Sequence, residues 1–141
     1  MNIYFSCSIT GGRKDQPQYA AIVRRLQTLG HTVPTAGLSD EGILGEEASI
    51  APRAVYERDT RWVQECDALV AEVSTPSHGV GYEIALALTL SKPALCCYKR
   101  GARVSKMLTG NTHAGMSLLV YDNEADLLAG IEAFLAKVTA R

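Results

Sequence analysis

Ala68-Leu69-Val70-Ala71-Glu72-Val73, then Ser74-Thr75-Pro76, then Ser77-His78-Gly79-Val80-Gly81-Tyr82-Glu83, then Ile84-Ala85-Leu86-Ala87-Leu88-Thr89-Leu90 is the stretch from which the fold is read. The first run is apolar but for one residue and ends in turn formers, which predicts a buried strand. The last run predicts a buried helix. A strand, a tight glycine-rich loop and a helix in that order make half of a βαβ unit, and ligands in such folds sit outside the carboxyl ends of the strands. Gly79 and Gly81 admit a ligand where a Cβ would obstruct it. Glu83 is the only charge in what reads as the first turn of the helix. A carboxylate there is favoured by the helix N-terminus and is expected to stay ionised in a partly dry cleft. A dipole-matched surface glutamate and two turn-shaping glycines would produce the same pattern.

Outward from that unit, strands and helices alternate. Strands are expected at Asn2 to Cys7, His31 to Thr35, Ala68 to Val73, Ala94 to Tyr98 and Ser117 to Tyr121. Helices are expected from Pro17 to Leu29, from Pro52 to Glu65, through the Glu83 stretch, and from Glu124 to Val138. Ala36 to Ala51 reads as a long loop, of the kind that serves as a lid or binding segment. Alternation of this type implies an α/β fold: a doubly wound five-stranded parallel sheet, Rossmann- or flavodoxin-like, with helices on both faces. Residues 1–141 are expected to form a single domain.

The net charge of −1 gives no electrostatic case for a nucleic-acid polymer or an anionic membrane surface. No apolar run approaches the length that spans a bilayer, and Met1-Asn2-Ile3-Tyr4-Phe5 enters a strand without the basic opening of a signal peptide. Cys7, Cys66, Cys96 and Cys97 have no Cys-x-x-Cys spacing and read as buried thiols of a cytoplasmic protein. His31, His78 and His113 have no ligand-like spacing, so no zinc site is expected.

Two further groups point to a site. Asp59 lies four residues from Val55 and Val63 and three from Trp62, on the apolar stripe of its helix. Such a carboxylate is either paired inside or open to a cleft; Arg58 and Arg61 are available partners, but both lie off that stripe. After the first strand, Ser8-Ile9-Thr10-Gly11-Gly12-Arg13 offers small residues, backbone N–H groups and side-chain donors suited to an anion, as an ordinary turn also would. It matches neither the dinucleotide fingerprint nor the P-loop. Gly79-x-Gly81 also fails the dinucleotide pattern, because Ile84 holds the third glycine position.

Tyr4-Phe5, Ser8-Ile9 with Gly11-Gly12-Arg13, Glu57-Arg58-Asp59, and Val70-Ala71-Glu72-Val73 running through Pro76-Ser77 into Gly79-Val80-Gly81-Tyr82-Glu83 resemble the 2'-deoxynucleoside 5'-phosphate N-hydrolases. That family groups with the nucleoside 2-deoxyribosyltransferases, doubly wound folds with a glutamate nucleophile. The resemblance implies that Glu83 attacks C1' of the deoxyribose. It implies that Asp59 orients Glu83 or assists protonation of the departing base, and that Tyr4 lies near the sugar. Ser8, Ile9, Gly11, Ser77 and Gly79 would line the 5'-phosphate and sugar. Ser105 would reach the phosphate of a neighbouring subunit's site, making a homodimer the complete binding unit. No metal or organic cofactor is implied. Where the family commonly has a phosphate-binding arginine this chain has Thr10, so Arg13, Arg103 or Lys106 would have to supply the cation.

Cleavage of an N-glycosidic bond builds positive charge on the sugar, which a carboxylate stabilises and then captures, splitting one hard step into two. Base exchange by a deoxyribosyltransferase, hydrolysis of ribonucleotides, and silent nucleotide binding on the same architecture are the competing functions. In the transferase branch an Asp usually stands six residues before the nucleophile. Ser77 stands there in this chain, and a neutral hydroxyl tolerates a 5'-phosphate that a carboxylate would repel.

Overall fold

The computed structural model describes residues 1–12, 14–40 and 42–140, and the side chains of all of these except 44, 46 and 47. Four parallel strands form the sheet: β1 Ile3–Ser6, β2 Ala68–Glu72, β3 Ala94–Lys99 and β4 Met116–Tyr121, adjacent in that order. The longer helices are α1 Gln16–Thr28, α3 Pro52–Glu65, α4 His78–Thr89 and α6 Glu124–Thr139. Two short ones, α2 Ile43–Ala48 and α5 Lys106–Thr109, interrupt segments that read as loops in the sequence.

The expected strand at His31 to Thr35 does not form, so the sheet has four strands rather than five. Only a single bridge, Asn2 to Thr32, joins that segment to the sheet. Pro34 has no N–H to extend a ladder. The Thr35 side chain takes over instead, its Oγ1 accepting from the Phe5 N–H at 3.0 Å.

Strand register sorts the interior into two layers. Ile3, Phe5, Ala68, Val70, Leu95 and Cys97 face α1 and α6, where Tyr19, Ile22, Leu26, Leu127 and Ile131 complete one core. Tyr4, Leu69, Ala71, Ala94 and Cys96 face α3 and α4, packing on Val63, Val80, Ile84 and Ala87. Every residue of β2 is buried, as a parallel strand covered on both faces must be. All four cysteines are buried and unbridged. Burial pushes the Cys96 thiol up to about 12. No helix among the described residues is long and apolar enough to cross a membrane.

The α4 helix starts earlier than the glycines imply. Ser77, in extended conformation, caps it by accepting from the Val80 N–H at 3.4 Å, so both Gly79 and Gly81 are helical. Glu83 is therefore the sixth helical residue, in the second turn rather than the first.

Candidate active site

The period-two alternation of β1 aims Tyr4 and Ser6 at the α3–α4 side of the sheet, and Glu83 comes down onto them from α4. The Ser6 hydroxyl donates to Glu83 Oε2 in a short hydrogen bond. Ser6 escaped sequence reading, although its position two residues after Tyr4, in an otherwise apolar strand, was a usable signal. Tyr4 is fully buried, and its hydroxyl makes no ordinary hydrogen bond within the described residues. Burial, and then the charges of Glu83 and Asp59, push that phenol far above its usual range, so it stays a neutral donor beside the carboxylate.

Glu83 departs from expectation in its electrostatics as well. Being one turn too deep to benefit from the helix N-terminus, its carboxyl is governed by desolvation, which lifts it to about 7. Hydrogen bonding by Ser6 and the proximity of Tyr4 and Arg58 pull the other way, while Asp59 adds to the rise. A carboxyl titrating there is divided between acid and base near neutrality.

Asp59 faces the same space, as its place on the α3 stripe predicts, but it is paired. Arg58 Nε donates to Asp59 Oδ1 at 2.7 Å, and the guanidinium lies 5.0 Å from the Trp62 ring centre. Arg58 sits off the apolar stripe at its Cα, yet its long side chain lies over Trp62 and reaches the carboxylate of the adjacent residue.

A cavity of about 510 Å³ opens above these groups, with Ile9, Thr10, Ser77, Gly79, Asp59 and Glu83 in its lining and Ala48, Ile50, Pro52 and Val55 as an apolar wall. A second hollow of about 270 Å³ continues from it past Tyr56 and Tyr82, whose rings meet edge-on at 6.3 Å. The described lining of both carries no lysine or arginine. Ser8 is buried beneath the loop, next to Gly11. Gly11 has no room for a side chain: a Cβ there would stand 2.5 Å from the Pro76 carbonyl oxygen and 2.6 Å from Ser8 Oγ. Arg13 lies outside the described residues. Ser105 is not brought to Glu83; it caps α5, accepting from the Met107 N–H at 3.2 Å, in a separate groove shared with Ser77 and Arg103.

Glu72, from the same strand-to-helix stretch, faces the opposite side of the sheet. It is fully buried and accepts from the Ser74 hydroxyl, from the Ser74 N–H at 3.2 Å and from the Tyr121 hydroxyl at 2.9 Å. Burial pushes its carboxyl up, against the pull of those donors. Among the described residues no cluster of His, Cys, Asp and Glu is arranged to hold a metal ion.

Residues 3–131 match the family model described as nucleoside 2-deoxyribosyltransferase. A rat protein named 5-hydroxymethyl-dUMP N-hydrolase is 39% identical over 99% of this chain and 90% of its own. A Methanococcoides burtonii protein with the provisional name 2'-deoxynucleoside 5'-phosphate N-hydrolase 1 is 38% identical over 86% of this chain and 99% of its own. The solved structure of a Clostridium botulinum CMP N-glycosidase superposes with a TM-score of 0.71 at 17% identity, covering 94% of this chain and 99% of that one. At that identity it is the parallel α/β fold that is shared.

Proposed function

The chain belongs to the nucleoside 2-deoxyribosyltransferase family, and from that premise we propose that it hydrolyses the N-glycosidic bond of 2'-deoxynucleoside 5'-monophosphates. The products are the free base and 2-deoxyribose 5-phosphate. One observation carries the reading: Glu83, lifted to about 7, is set by Ser6 and Tyr4 at a cavity it shares with Asp59 and the start of α4.

In this reading the ionised Glu83 oxygen bonds to C1' as the C1'–N bond breaks, and the bonding pair leaves with the base, which takes up a proton from solvent. Water then attacks C1' and gives a proton back to solvent, the glycosyl–oxygen bond breaks with its electron pair returning to Glu83, and the carboxylate is restored. Tyr4 donates towards the sugar or the carboxylate. Asp59, held by the Arg58 guanidinium, acts as a fixed charge that orients Glu83 and the developing cation. The 5'-phosphate lies against the N-terminus of α4, with Thr10, Gly11, Ser77 and Gly79 around it and the buried Ser8 beneath Gly11, so N–H and hydroxyl donors stand in for the missing arginine. The apolar wall from Ala48 to Val55 is left for the base.

The family's own description keeps base exchange as the second reading. Incubating a panel of deoxynucleoside monophosphates with the protein, with and without a different free base, separates the two. Hydrolysis releases base and sugar phosphate; exchange yields a new nucleotide. Loss of both products with Glu83→Gln supports the nucleophile assignment, and unchanged release refutes it.

A homodimer forms part of the same proposal. Met107 is 81% exposed beside Ser105, and Leu118 and Val120 on β4 are exposed on the α3–α4 side of the sheet. A second copy seated there would bury this apolar strip and bring Ser105 towards its neighbour's phosphate. A sedimentation mass equal to one chain refutes the dimer.

A further inference from the structure

The two loops that line the phosphate end of the cavity are tied together from behind. Thr75 Oγ1 donates to Asp15 Oδ2 at 2.8 Å, and Asp15 Oδ1 accepts from Lys99 Nζ at 2.7 Å. Asp15 is 2% exposed and Thr75 6%, and neither lines the cavity that holds Glu83. Asp15 follows the loop that carries Ser8 and Gly11; Thr75 precedes Ser77. The two loops also touch through backbone, as the absence of room at Gly11 beside the Pro76 carbonyl records.

We propose that the Asp15–Thr75 hydrogen bond, with Lys99 as the counter-ion that holds the aspartate, is a positioning clamp. It sets the spacing between the loop after β1 and the N-terminus of α4, and through that spacing the affinity for the sugar-phosphate end of the substrate. The inference rests on the function proposed above. A group bound between two loops loses its hydrogen bonds when either drifts by about an ångström, and small errors of that kind are costly. Glu83 is held separately by Ser6 on β1, so the clamp acts on binding more than on the bond-breaking step.

Thr75→Val removes the hydroxyl and keeps the shape. The expected result is a KM for a deoxynucleoside monophosphate raised about tenfold with kcat changed less than about twofold, and restoration by Thr75→Ser. A purely structural role would lower the melting temperature and leave the KM of the folded protein where it was; that result, or a fall in kcat at constant KM, overturns the clamp. Calorimetry with 2-deoxyribose 5-phosphate on the unaltered and Thr75→Val proteins gives the same test without turnover: equal affinities overturn it, and weaker binding by the variant supports it. Absence of base release by the unaltered protein would instead sink the hydrolase reading while this binding arm still decides the clamp.

Discussion

The two sides of β2 treat buried carboxyl groups in opposite ways. On the α1–α6 side, Glu72 meets three donors from Ser74 and Tyr121 and opens onto nothing. On the α3–α4 side, Glu83 has one short hydrogen bond from Ser6, a phenol beside it, a second carboxylate across the cavity and open space above. Both are raised by desolvation. The contrast separates structure from chemistry: a buried acid surrounded by donors contributes to the fold, whereas one left partly unserved beside a cavity is held ready for a partner that arrives with the substrate.

Exchanging each acid for its amide breaks the comparison most sharply. Glu83→Gln is expected to reduce base release at least about a thousandfold, by chromatography of the free base. The same change is expected to stabilise the protein at pH 8. Folding favours the protonated acid, because its folded value of about 7 lies above the ordinary 4.5. That contribution is complete below pH 4.5 and disappears as pH rises through 7. At pH 8 the wild type carries a desolvated charge that the amide lacks, a difference of about 3 kcal/mol in denaturant unfolding. The gain should fade at pH 5.

Glu72→Gln should do the reverse. It turns an amide NH₂ towards groups that already donate, and is expected to cost about 2 kcal/mol of stability while the folded fraction keeps its turnover number. Equal activity losses from the two amides would erase the distinction between the faces.

Ser6→Ala sharpens the contrast with a smaller effect. The Ser6 hydroxyl favours the ionised form of Glu83, so its loss should move the acidic limb of kcat/KM, near 7 in the unaltered protein, to higher pH. Activity at pH 6 should fall several-fold more than activity at pH 8. A uniform loss at all pH values would show that Ser6 only packs.

Much of this arrangement was legible in the residues. The α3 helix begins at Pro52 and ends at Glu65 as its pattern predicts, and the α1 stripe of Tyr19, Ile22, Val23 and Leu26 is buried. Glu83, Asp59 and Tyr4 do meet, because helix and strand periods direct each of them to one side of the sheet. The misreadings have local causes. Two glycines disguised the first turn of α4, although Ser77 three residues before Val80 was a cap signal. Pro34 cut short a β-prone run. The Arg58–Asp59 pair depends on where a flexible side chain folds, which spacing along a helix does not determine. Ser6 has one signal only, its place two residues after Tyr4 on the same face of an apolar strand, and that spacing does not say which acid it meets.

The stunted segment after Thr32 has a consequence for the life of the protein in crowded solution. Strand β1 lies at one margin of the sheet, where a fully formed neighbour is missing and a foreign strand could attach. The Thr32 carbonyl already accepts from the Ile3 N–H at 2.8 Å and the Thr35 hydroxyl from the Phe5 N–H. With its outward-facing donors engaged and a proline at the seam, that border offers an incoming chain little to pair with, and the molecule is guarded there against growth into aggregates.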